Sequence, residues 1–92
     1  MTQIDIKTLV DEINSKNNKE FIIEFEGIIT AKIKIKNLKI TEDENNINIF
    51  EKDIEQEKIK LLKYQIMKIE KIKEEYIIKF DMLQNVKIKC LI

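Results

Sequence analysis

Few side chains in this sequence are equipped for chemistry, and their usual partners are missing. There is one cysteine, Cys90, and no histidine. A catalytic thiol needs a neighbouring base to take its proton, so Cys90, set in an alternating apolar stretch, reads as a small buried hydrophobe. With no imidazole and a single thiol, zinc and iron lack their preferred ligands. Glu24 and Glu26 share one strand face, but raising a carboxyl pKa for acid–base work needs an apolar pocket, and nothing in the sequence places them in one. The run Glu42-Asp43-Glu44-Asn45-Asn46 offers oxygen ligands without the aspartate spacing and glycine of a calcium loop. It reads as a solvated turn. Gly27 is the only glycine, too few for a phosphate cradle. All 17 basic residues are lysine, so bidentate guanidinium capture is absent. The expectation is a chain with no enzymatic activity, no cofactor and no metal.

Two features bind rather than react. Lys32, Lys34, Lys36 and Lys39 form a basic stripe that Lys79, Lys87 and Lys89 extend, the pattern of a phosphate-tracking surface. Against it stand a net charge of zero, the lack of a stacking pattern from Phe50, Tyr64 and Tyr76, and Glu20, placed opposite Lys32 or Lys34. The second feature is the last strand. Val86, Ile88, Cys90 and Ile92 share one face, and Leu91 interrupts the lysines on the other. An apolar strand of this kind must be paired, covered or used for association, which makes Val86, Ile88, Cys90, Leu91 and Ile92 a candidate interface. The leading expectation is therefore a small, non-catalytic module that binds a protein partner or itself as a homo-oligomer. The alternative is a nucleic-acid-binding small barrel using the lysine face. Abundant Lys, Ile, Asn and Glu follow AT-rich codons, which suits a low-GC bacterium or its phage or other mobile element, where small proteins dock on host proteins.

The elements that must position these residues follow from periodicity. Apolar content of 43% with no net charge places the chain outside the disordered class, and 92 residues suit a single domain over 1–92. Ile6, Leu9, Val10 and Ile13 fall at i, i+3, i+4 and i+7, predicting a helix over 5–16. Thr2 and Asp5 give its cap pattern, and Asn17-Asn18 its stop. Phe21, Ile23 and Phe25 alternate in a strand over 20–26. Gly27 is expected at positive φ in a hairpin. The next strand, from Ile28, carries Ile29, Ala31, Ile33 and Ile35 on one face, and its parity then flips at Leu38 and Ile40. A one-residue flip is the mark of a β-bulge, placed near Lys36-Asn37. For Phe21, Ile23 and Phe25 to share a face with Ile29, Ala31 and Ile33, paired residue numbers must sum to an even value. A short strand over 47–51 and a loop over 52–57 come next. Residues 58–73 favour two strands around a turn at Tyr64-Gln65-Ile66, because isoleucine is a weak helix former and Lys58 and Lys73 intrude on the helical apolar face. Strands at 76–80 and from Val86 onward, separated by a turn over 81–85, complete the chain.

The fold class is mainly β (α+β): an N-terminal helix packed on a small, bent antiparallel sheet or an SH3/Sm-like barrel of about 5–7 strands. The alternative is an α+β fold of order αβββαββ with a second helix at about 53–73. Phe25-Glu26-Gly27 before the bent strand and Tyr64-Gln65-Ile66-Met67-Lys68-Ile69 at the later turn make residues 5–72 similar to the Sm-like barrel family, which implies a barrel closed by a bent second strand. Ala31-Lys32 replaces the second glycine of the family's first motif. Its histidine-bearing second motif has no counterpart, and 73–92 add a hairpin. No RNA-binding residue is carried over. The N-terminus has no basic start or apolar core of a signal peptide, no apolar run approaches a membrane span, and a lone cysteine gives no sign of an oxidising compartment. A cytoplasmic location is expected.

Overall fold

The computed structural model describes residues 2–16, 19–27, 30–80 and 84–91. The chain runs β1 (Thr2–Ile4), α1 (Ile6–Asn14), β2 (Glu20–Glu26), β3 (Ala31–Lys36), β4 (Leu38–Glu42), β5 (Asn46–Glu51), β6 (Ile54–Leu62), a 3-10 turn (Lys63–Gln65), β7 (Ile66–Ile72), β8 (Glu75–Phe80) and β9 (Asn85–Leu91). The mainly β class with one N-terminal helix is as expected, and 58–73 forms strands. Among the described residues there are nine strands rather than about five to seven. The alternation pattern missed β1, which is only three residues long.

The strands make two antiparallel sheets. One has six strands in the order β1-β7-β8-β9-β2-β3, the other three in the order β4-β5-β6. Strand pairing among the described residues leaves both sheets open, so the barrel implied by the Sm-like resemblance is replaced by two sheets joined at two corners, between β3 and β4 and between β6 and β7. At the first corner β3 passes into β4 through Asn37 alone, with φ of 52°. That is left-handed backbone, which asparagine tolerates better than most residues. The Asn37 N–H donates to the Lys19 carbonyl and the Asn37 carbonyl accepts from Lys52 N–H. The parity flip expected near Lys36-Asn37 is therefore a change of sheet. At the second corner the 3-10 turn joins β6 to β7. Lys63 fixes it, its N–H on the Asn45 carbonyl and its Nζ 2.6 Å from Glu42 Oε1.

The hairpin register is even-summed as expected: Phe21 faces Ile35 and Ile23 faces Ile33. Glu20, however, lies opposite Lys36, not Lys32 or Lys34. Gly27 is not at positive φ. What its missing side chain provides is room, since a Cβ there would stand 3.3 Å from Gln84 Cγ. The start of the second strand at Ile28 and Ile29, the stop at Asn17-Asn18 and most of the turn over 81–85 lie outside the described residues.

Asp5, rather than Thr2, caps α1: its Oδ1 accepts from Thr8 N–H at 2.8 Å, and this bond holds its carboxyl below the ordinary range. The helix ends at Asn14, two residues short of the periodicity estimate, and Lys16 instead reaches Glu74. Leu9 and Ile13 on one face of α1 join Phe21, Ile23, Ile40, Ile47, Ile49, Tyr76, Ile78 and Ile88 in a single core between the sheets. Each such isoleucine contributes roughly 1.5–3 kcal/mol by leaving water. Tyr76, fully buried, keeps its hydroxyl satisfied by donating to Glu12 Oε1 at 2.7 Å, and Lys71 Nζ reaches the same oxygen at 2.6 Å. This junction ties α1 to β7 and β8.

Candidate protein-interaction edge

The structure separates the four lysines of the basic stripe. Lys32, Lys34 and Lys36 project from β3 on the outer face of the six-stranded sheet, while Lys39 sits in β4 of the other sheet, opposite Phe50. The β3 lysines are paired. Lys34 Nζ is 3.0 Å and Lys36 Nζ 3.9 Å from the Glu20 carboxylate, and Lys32 Nζ is 3.4 Å from Glu24 Oε2. The bond from Lys34 holds the Glu20 carboxyl below its ordinary value. Further across the same face Lys87 pairs with Glu26 at 3.2 Å and Lys79 with Glu70 at 2.7 Å. The face is a lattice of alternating charge, where a phosphate-tracking surface is of one sign.

The final strand is placed differently from the sequence reading. β9 lies inside the six-stranded sheet, paired to β8 on one side and β2 on the other. Val86, Ile88 and Cys90 are buried in the shared core, and Leu91 is half-buried opposite Glu20. Both edges of β9 are used, so it has none to offer a partner, and its apolar residues serve packing. Ile92 lies outside the described residues. Alternation reports which face of a strand is buried and carries no information on which strands flank it.

The acidic turn is closed on itself. Asp43 Oδ1 accepts from the backbone N–H groups of Asn45 and Asn46, and Oδ2 from Asn48 Nδ2 at 3.1 Å. Led by the bond from Asn48, these hold its pKa at about 2. Among the described residues no group of three or more His, Cys, Asp or Glu is arranged to hold a metal ion.

Among the described residues β1, β3, β4 and β6 are sheet edges, and the far edge of β3 is the one that carries the lysine row. Its only ladder among the described residues is to β2. Beside that edge lies a cleft of about 480 Å³ between the sheets, lined by Ile33, Ile35, Phe50, Ile54 and Ile59 and also by charged side chains, Glu51 and Glu57 among them. Ile33, which the pattern assigns to the core face, is 40% exposed there. On the far wall the β5–β6 register shifts between Ile49 and Glu51. Lys58 from this stretch lies over the Phe50 ring at 5.3 Å.

No family model, curated protein or solved structure matches the chain.

A second exposed apolar group sits at the β6–β7 corner. Tyr64 is 78% and Met67 66% exposed. Met67 is there because the β7–β8 register shifts between Ile66 and Lys68, leaving it as the extra residue of a bulge. Neither the β3 edge nor this corner was visible to pattern reading. The edge depends on sheet order and Met67 on a register shift, and both are tertiary facts.

Proposed function

We propose that this protein is a non-catalytic binding module that takes up an extended segment of another protein along β3. One observation carries the reading: an unpaired strand edge runs beside an apolar cleft, with Ile33 exposed at their junction. Strand addition of this kind draws affinity from main-chain hydrogen bonds and specificity from pockets for alternate side chains, and the β3 edge supplies both. A natural edge strand guards itself with charge, particularly lysine. Lys32, Lys34 and Lys36 fill that role and set a requirement on what pairs there.

The cytoplasm suits this reading, since the one thiol is buried and unpaired, and so does the composition of a low-GC bacterium or its mobile elements. Nucleic-acid binding through the lysine face is the weaker reading because glutamates are interleaved with the lysines, so the face is not of one sign.

The test is site-specific photocrosslinking in the cell that makes the protein. With Ile33→p-benzoylphenylalanine, discrete protein adducts are expected, and they should be absent when the same group replaces Asp11, exposed on α1. Adducts from Asp11 alone, adducts to nucleic acid, or none from position 33 would overturn the reading.

A further inference from the structure

The β2–β3 ladder shows what β3 accepts beside it. In an antiparallel ladder directly opposed residues point to the same face. On the inner face Ile35, Ile33 and Ala31 meet Phe21, Ile23 and Phe25; on the outer face Lys36 and Lys32 meet Glu20 and Glu24, with Lys34 opposite Ile22 between them. A strand added to the other edge of β3 meets the same two faces. Its inward residues would enter the cleft lined by Ile33, Ile35, Ile54 and Ile59, and its outward residues would lie beside three lysines that share two glutamates. Among the described residues the lysines on that edge outnumber the glutamates they pair with by one.

This arrangement discriminates among occupants. If a second copy paired through its own β3, keeping isoleucine against isoleucine would set lysine against lysine at every outer position, and like charges directly opposed are destabilising. A neutral apolar strand would fill the cleft but leave the outer row unanswered. We infer that the partner segment alternates acidic residues with β-branched or aromatic ones, the pattern this chain itself uses at Glu20, Glu24 and Glu26 of β2 with Ile22 as the one exception, and that a second copy of the chain is rejected at this edge. The inference rests on the strand-addition reading above and adds the chemical class of the partner.

The experiment uses the full chain and three labelled synthetic peptides: one alternating glutamate with valine, its glutamine isostere, and its lysine counterpart. Fluorescence anisotropy measures affinity, and amide chemical shifts locate the contact. The glutamate peptide should bind about tenfold more tightly than the glutamine isostere, the sum of a few exposed ion pairs. That advantage should shrink as salt is raised, and shifts should be centred on Ala31–Lys36. The triple variant Lys32→Gln, Lys34→Gln, Lys36→Gln should erase the preference without placing new like charges beside Glu20 and Glu24. The charge-reversed triple variant, if folded, should prefer the lysine peptide. Ile33→Asp should weaken all three peptides.

Equal binding of the glutamate and glutamine peptides would overturn the acidic-partner inference and leave strand addition standing. No binding, or shifts centred on Tyr64 and Met67, would overturn both. A concentration-dependent dimer with shifts at Ala31–Lys36 would overturn the rejection of a second copy.

Discussion

The side chain of Asn14 holds the backbone of Ile40 by both of its polar atoms: Nδ2 donates to the Ile40 carbonyl at 2.8 Å, and Oδ1 accepts the Ile40 N–H at 2.9 Å. The amide stands where a neighbouring strand would stand. β4 is an edge of the three-stranded sheet, and the last residue of α1 closes part of that edge. This protein therefore covers one of its edges while β3 remains open.

Replacing Asn14 tests this directly. Asn14→Ala should cost about 1–3 kcal/mol, because two backbone groups lose their partner at a part-buried site. Asn14→Asp keeps the acceptor for the Ile40 N–H but turns a second oxygen toward the Ile40 carbonyl. It should be at least as unstable at neutral pH and recover part of the loss in acid, where a protonated carboxyl can donate. Urea unfolding at two pH values measures both. Wild-type stability in Asn14→Ala would remove the edge-closing role.

The Glu12 junction should give stability a pH dependence. Hydrogen bonds from Lys71 and then Tyr76 hold the Glu12 carboxyl below its ordinary 4.5. A folded-state pKa below the unfolded one means the contribution is complete above the unfolded value and is lost as pH falls through the folded value. Urea midpoints should drop below about pH 4, and Lys71→Met should flatten that part of the profile. Tyr76→Phe should cost about 1.5–3 kcal/mol at neutral pH, the range for a hydrogen bond to a charged group.

Asp43 should stay ionised well below the ordinary aspartate range. With its pKa at about 2, the bonds to Asn45, Asn46 and Asn48 should persist down to that pH. A carboxyl-carbon NMR titration checks this. A midpoint near the ordinary 3.8 would mean that the turn is not held by these bonds.

Ile88 should behave as core rather than interface. It is fully buried in β9, between β8 and β2. Ile88→Ala should lower unfolding free energy by about 2–5 kcal/mol and leave the sedimentation coefficient of the folded protein unchanged. A change in assembly state with little loss of stability would return β9 to the role of an interface.

The lysine face gives a separate check. If its charges are committed to Glu20 and Glu24, the triple variant Lys32→Gln, Lys34→Gln, Lys36→Gln should leave oligonucleotide affinity and its salt dependence unchanged. A marked loss of affinity with a shallower salt slope would mean these lysines contact phosphates.

Local pattern carried much of the fold. The alternation of Phe21, Ile23 and Phe25, the even-summed hairpin and the parity flip before Leu38 all follow from the two-residue period of a strand, which is written residue by residue. The corner at Asn37 was legible as a discontinuity but not as a passage between sheets, because a flip looks the same whether a strand bulges or changes partners. β1 was too short for a period to show. Gly27 was read as a backbone requirement when its role is to make space for Gln84, a contact between residues far apart in sequence. The candidate site was the least legible part. Ile33 has the same alternation as Ile23, and what exposes one and buries the other is the order of strands in the sheet.

The pairing of β2 with β9, from Glu20 opposite Leu91 to Glu26 opposite Asn85, also constrains the protein's birth. The middle of the larger sheet cannot assemble on the ribosome until residue 91 has left the exit tunnel. Until then the β2–β3 hairpin is only a two-stranded ribbon, marginal by itself in water, with an apolar face uncovered. Folding must wait for β9 and then close its most distant contacts, which places this fold among the slower ones of its size. In the meantime the strand edges awaiting β9 are open to any extended segment nearby.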